Sequence, residues 1–164
     1  FETAAGGGLI LQIVQVTKTD TAYTASTSYV DCPDMVIAIT PTKASSKILL
    51  TGNMNMVTQN DGFVTIQRDI EGGGYSDLTG YRGADSSSSR QDCTHQMMGA
   101  AQSHANCLMY LDSPSYTLTD VITYKAIWLC SNASHPNNIN RTWTDSDDAG
   151  QGRTASTLQL WEID

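Results

Sequence analysis

The chain has 164 residues, enough for one domain with its own hydrophobic core. It carries 9 Lys and Arg against 17 Asp and Glu, a formal net charge of −8, so a phosphate backbone would be repelled and nucleic acid is excluded as a partner. Charged residues make up only 16%, against about a quarter in ordinary domains, and no apolar run approaches the roughly 18 residues of a membrane-inserted helix.

The chain opens at Phe1 without a methionine, and we read it as a piece of a longer polypeptide. Residues 1–8, ending in Gly6-Gly7-Gly8, read as a flexible lead from an upstream stalk, and residues 9–164 as a single head domain. Leu9 to Val16 is apolar on both faces and β-branched, the pattern of a central strand. Thr17 to Val30 is polar and suits an extended edge segment or a short hairpin. Met35 to Thr40 is a compact strand closed by Pro41.

Lys47 to Val57 alternates from Leu50 onward, which puts Leu50, Gly52, Met54 and Met56 on one face. Asn60-Asp61-Gly62 is a hairpin signal leading into the strand Phe63 to Arg68. Glu71 to Gln91 is the longest irregular stretch and reads as surface loop. Ala105 to Leu111, Val121 to Cys130 and Thr154 to Ile163 complete the strands, with the Asn-, Asp- and Ser-rich loop Ser131 to Gly152 before the last. No stretch carries a sustained apolar stripe of helical period. Seven to nine strands separated by turn clusters predict an all-β, antiparallel β-sandwich or jelly roll. Strands with apolar residues on both faces need cover on both sides. A second sheet supplies one side, and sister copies around a three-fold axis supply the other.

Gly6 to Asp20 (GGGLILQIVQVTKTD), Ile39 to Leu50 (ITPTKASSKILL), Phe63 to Asp69 (FVTIQRD), Leu111 to Ser115 (LDSPS), Val121 to Ala126 (VITYKA) and Gly152 to Asp164 (GRTASTLQLWEID) follow one another in a consistent order over nearly the whole chain. In these segments the sequence resembles the C-terminal domain of tail fibres and related virion surface proteins of bacteriophages, notably those of marine bacteria and cyanobacteria. The resemblance implies a jelly-roll-like sandwich that forms a homotrimer on the exposed surface of a virion, beside other phage virion proteins. A tail-fibre position is expected before a capsid one.

Four cysteines, Cys32, Cys93, Cys107 and Cys130, lack CxxC pairing and read chiefly as unlinked buried thiols. Cys93, His95, His104 and Cys107 carry donors for a tetrahedral Zn²⁺ site, but their C-x-H and H-x-x-C spacings depart from the usual ligand pairs. A Cys93–Cys107 disulfide is the other alternative. The family pattern does not carry these residues, so no metal and no cofactor are expected. Asp145, Asp147 and Asp148 resemble part of a calcium loop without its central glycine and closing Glu, and read chiefly as a solvated acidic turn, with a Ca²⁺ site assembled across a three-fold axis as the alternative. The sequons at Asn132 and Asn140 are fortuitous matches in a protein made by bacteria.

No nucleophile elbow and no defined carboxylate pair appears, so no catalytic residue is assigned and the chain is not read as an enzyme. Aromatic rings among polar side chains are better suited to stacking on sugars. On that chemistry Tyr75, Tyr81 and Arg82 in the long loop, with Asn138, Arg141 and Trp143 before the last strand, are the candidate ligand-binding residues. Trp128 and Trp161, inside strands, belong to the core or to a subunit interface. The expected function is a receptor-binding head that attaches a tail fibre to a host cell-surface glycan or outer-membrane protein. The alternative is a head fibre, collar or capsid decoration that stabilises the virion. A C1q/TNF-like module of a cellular organism shares the fold but not the virus-like opening and closing segments.

Overall fold

The computed structural model describes residues 9–83, 90–99, 101 and 103–164, and among them there is no helix. The expected lead at residues 1–8 and the serine run of the long loop lie outside the described residues. Alternating side chains build the strands. In the last one, Ser156, Leu158, Leu160 and Glu162 are buried, while Thr157, Gln159, Trp161 and Ile163 between them are not.

The strands are β1 (Ile10–Lys18), β2 (Ala22–Thr24), β3 (Val30–Ile39), β4 (Lys47–Val57), β5 (Gly62–Ile70), β6 (Ser76–Asp77), β7 (His95–Met97), β8 (Ser103–Asp112), β9 (Ile122–Cys130), β10 (Asn137–Ile139) and β11 (Ser156–Ile163). They form two antiparallel sheets. The first has six strands: β8, β4, β11 and β1 lie side by side, and the short β10 and β2 continue beside the far end of β4. The second has five, with β3, β9 and β5 in order and both β6 and β7 on the free edge of β5. The long strands β1, β3, β4, β5, β8, β9 and β11 alternate between the sheets, and none pairs with the next long strand in the chain.

Two sequence expectations change here. Asn60-Asp61-Gly62 does not close a hairpin; it carries the chain from the first sheet to the second. The cause is that β4 is paired with β8 along one edge and with β11 and β10 along the other, which leaves no edge for β5. The segment expected as a central strand, β1, ends the first sheet and pairs only with β11 among the described strands. Its two-sided apolar pattern has another cause, taken up below. The expected face of Leu50, Met54 and Met56 does point inward and is buried.

The core lies between the sheets. Ile48, Leu50 and Met54 of β4 and Leu158 and Leu160 of β11 face Ile37 and Ile39 of β3, Val64 and Ile66 of β5, and Tyr124 and Trp128 of β9. Leu78, in the stretch expected to be surface loop, also joins this core. At Gly52 the inward position is empty because Leu158 of the neighbouring strand occupies it. A Cβ there would stand 2.6 Å from the Thr157 carbonyl oxygen and 2.7 Å from Leu158 Cδ2. Both β4 and β11 are held at fixed spacing by their ladder, so neither can give way.

Three buried charges tie strands together. Glu162 of β11 is fully buried and accepts hydrogen bonds from Gln12 Nε2 (2.7 Å), the backbone N–H groups of Thr42 (2.7 Å) and Lys43 (3.2 Å), and the Ser46 hydroxyl (2.7 Å). It therefore fastens the β3–β4 loop across the end of the first sheet. Burial alone would raise its pKa, but donors from Ser46, Gln12, Thr42 and Lys43 outweigh that and hold it below the ordinary glutamate value. Asp112 of β8 takes both oxygens to Arg68 Nη1 of β5 (2.7 and 2.6 Å) and accepts the Tyr124 hydroxyl of β9 at 2.7 Å, a bridge between the sheets. Lys18 is buried with its ammonium on Asp20 (2.8 Å) and Asp34 (3.0 Å).

Gly52→Ala is expected to cost about 1–3 kcal/mol of stability by overpacking two paired strands, read as a lower urea midpoint. Glu162→Gln is expected to cost about 1–3 kcal/mol at neutral pH, because a carboxylate accepting charged hydrogen bonds is replaced. Since the folded pKa of Glu162 is depressed, its contribution is present above about pH 4.3, the unfolded glutamate value, and is lost as pH falls through the lower folded value. The stability gap between wild type and Glu162→Gln, followed by urea unfolding, should thus narrow below about pH 4.

Candidate functional site

The residues singled out as ligand-binding fall into two sets on different sheets. Tyr75 is exposed and its ring covers the Lys125 ammonium at 3.9 Å, while Lys125 also pairs with Asp31 at 2.6 Å. Arg82 lies over the Tyr29 ring at 5.0 Å, donates from Nε to the Asp92 carbonyl at 2.8 Å and forms an ion pair with Asp77. Its guanidinium thus pins the long loop onto the second sheet. Tyr81 is half-buried with its ring 4.7 Å from that of Tyr110. Burial pushes its pKa up to about 12, with the nearby Met109 backbone opposing the shift.

The second set follows β10. Asn138 belongs to that strand and is 0% exposed, donating from Nδ2 to the carbonyls of Val57 (3.4 Å) and Pro136 (3.1 Å) while its Oδ1 accepts Arg141 Nε at 3.1 Å. It has no polar atom to offer a ligand, which corrects the sequence reading. A three-residue polar strand gives no periodic signal. Arg141 also reaches Asp145 at 3.1 Å, so it ties the loop that follows β10 back to Asn138 of that strand. Trp143 is half-buried and stacked on His135, with ring centroids 6.5 Å apart.

The proposed metal set does not converge. His104 and Cys107 lie three residues apart on β8 and so point to opposite sides of the sheet: His104 inward opposite Met56, Cys107 outward and exposed. All four cysteines are free, with Cys32 and Cys130 buried but Cys93 half-buried and Cys107 exposed. In the acidic turn Asp145 is held by Arg141 and Arg153, and Asp148 accepts the Ser146 hydroxyl (2.9 Å) and the Gly150 N–H (2.8 Å). These contacts engage the carboxylate oxygens of Asp145 and Asp148 within the turn.

Sequence reasoning did not locate the outer face of the first sheet. Register places Ile13, Trp161, Leu49 and Leu111 in one row across β1, β11, β4 and β8. The next row is Gln15, Gln159, Thr51 and Met109, and the third Thr17, Thr157, Asn53 and Cys107. Ile13 is 48% exposed, Leu111 49% and Met109 72%. Gln159 is the hub of the middle row: it donates to Gln15 Oε1 at 2.6 Å and accepts Trp161 Nε1 and the Thr51 hydroxyl, both at 3.3 Å. Asn53 Oδ1 is enclosed with no partner. Of the outward positions on these four strands only Lys47, at the start of β4, is charged, although the chain as a whole carries −8. This face explains the apolar residues on both sides of β1: the inner ones pack on the core and the outer ones form the exposed row.

The outer face of the second sheet bears a cavity of about 510 Å³. Its floor is Phe63 of β5 and Leu129 of β9, direct partners in register, with Gln96 of β7 opposite Phe63. Asp61, Ser131, Thr27, Arg90 and Gln91 form the walls. No motif marks it, because its residues come from four separate segments.

No family model and no curated protein matches the chain.

Tyr81→Phe removes a hydroxyl whose one polar neighbour is the Met109 backbone, at poor hydrogen-bond geometry, so it is expected to change stability by less than about 1 kcal/mol. A markedly larger loss in a thermal melt would contradict that.

Proposed function

We propose that this chain is the host-adhesion head of a bacteriophage tail fibre, working as a homotrimer on the virion surface and performing no chemistry of its own. The observation that carries this reading is the outer face of the first sheet. Copies that each carry −8 repel one another, and they associate most readily through a surface that brings no charges together. The rows around Trp161, Leu49 and Leu111 form such a surface. It is apolar at its centre, and Gln15, Gln159, Thr51 and Trp161 on it are hydrogen-bonded among themselves.

The strand order supports a jelly roll. With β7 counted as the fifth strand and the short β2, β6 and β10 set aside, the sheets read 1-8-3-6 and 2-7-4-5, the two interlocked Greek keys of that architecture. The resemblance supplies the number three and the viral setting. If the first sheet faces the three-fold axis, the second sheet and its covering loop face outward, where three copies per fibre raise a weak affinity through effective concentration. That loop carries Tyr75, which remains exposed.

Tagged protein mixed with marine bacteria and cyanobacteria, the hosts the resemblance implies, should label the cells and compete with infection. Leu49→Asp places a carboxylate at the centre of the apolar row and is expected to reduce labelling about 100-fold by removing multivalency, with the fold intact by circular dichroism. Wild-type protein that labels none of the cells would overturn the adhesion reading in favour of a decoration role.

A further inference from the structure

We infer that the cavity on the second sheet holds one ring of a neutral pyranoside. Phe63 and Leu129 lie side by side in register and together form an apolar floor at the bottom of an otherwise polar depression. That division suits a sugar ring, which presents C–H groups on one face and hydroxyls around its rim. At the rim, Asp61 supplies carboxylate oxygens, Gln96 and Gln91 supply amides, and Thr27 and Ser131 supply hydroxyls. The volume, about 510 Å³, is within the range of small-molecule sites.

Charge selects the class. Asp61 and Arg90 both stand in the wall, but Arg90 is already engaged by a partner, and the chain carries a net charge of −8, which disfavours uronic and other acidic sugars, whereas a neutral hydroxyl donates readily to a carboxylate. The carboxylate is also available. Its side-chain contact is a long one from Gln96 Nε2 at 3.4 Å, and the turn beneath is held separately by the Asn60 and Ser131 side chains on the Asp61 N–H (2.9 and 3.2 Å) and by the Ser131 N–H on the Asp61 carbonyl (2.8 Å). Removing the carboxylate should therefore leave the fold alone.

This assignment rests on the adhesive reading only for its biological use, and the experiment separates the two. Saturation-transfer difference NMR on the full chain would use methyl glucoside, galactoside and mannoside in both anomers, with methyl glucuronide as the acidic comparison. At least one neutral glycoside should show transfer, strongest at the C–H protons of one ring face, and the glucuronide should show less. Asp61→Ala combined with Gln96→Ala should lower the affinity at least ten-fold with an unchanged melting temperature. Should the double variant melt early, Gln96→Ala alone gives the same comparison, since its side chain gives up a single long hydrogen bond to Asp61. No transfer from any neutral glycoside, equal transfer from the glucuronide, or transfer that survives the substitutions would overturn the assignment. Sugar binding without cell labelling would instead remove the adhesion reading and leave the site in place.

Discussion

Both edges of β4 are occupied along its length, by β8 on one side and by β11 followed by β10 on the other. A strand held in this way cannot accept its chain neighbours, so β3 before it and β5 after it must pair elsewhere, and a second sheet has to exist. The same arrangement repeats through the molecule, with each long strand crossing to the opposite sheet. The buried charges sit where those crossings need holding. Glu162 fastens the β3–β4 connection, and Asp112 joins β8 to β5 and β9. Nearly all of the pairing is between segments distant in sequence, which makes folding a slow search that local structure does little to guide.

Two covers follow from this architecture, and they differ in chemistry. The second sheet is covered on its outer side by its own chain, through Tyr75 on Lys125 and Arg82 on Tyr29. The first sheet has no such cover among the described residues. Its outward side chains form a largely neutral surface with an apolar row and an amide hub at Gln159. That nearly uncharged face, on a chain of net charge −8, is the surface the proposed contact between copies uses. On the proposed reading, adhesion falls to the opposite side, where the cavity over Phe63 and Leu129 combines an apolar floor with polar walls.

What could be read from the sequence was whatever is periodic. The alternation at Leu50, Met54 and Met56 gave the buried face of β4, and the turn clusters gave the all-β class. What could not be read was partner choice. Asn60-Asp61-Gly62 has the composition of a hairpin because composition describes a tight reversal, and a reversal between sheets needs the same residues. Leu9 to Val16 has the composition of a central strand because an exposed apolar face and a buried one look alike in one dimension. Asn138 seemed available because asparagine usually is, yet β10 inserts it between β4 and β2. The cavity escaped notice because Asp61, Phe63, Gln96 and Leu129 meet only through strand register.

The central claim is that the neutral face of the first sheet is hidden between copies of this chain. Sedimentation equilibrium of the wild-type protein at micromolar concentration measures that most directly. The account predicts a single species of about three times the 17.7 kDa subunit mass, unchanged by salt because few charges meet at the contact. A well-folded species of one subunit mass across the same concentrations would contradict it.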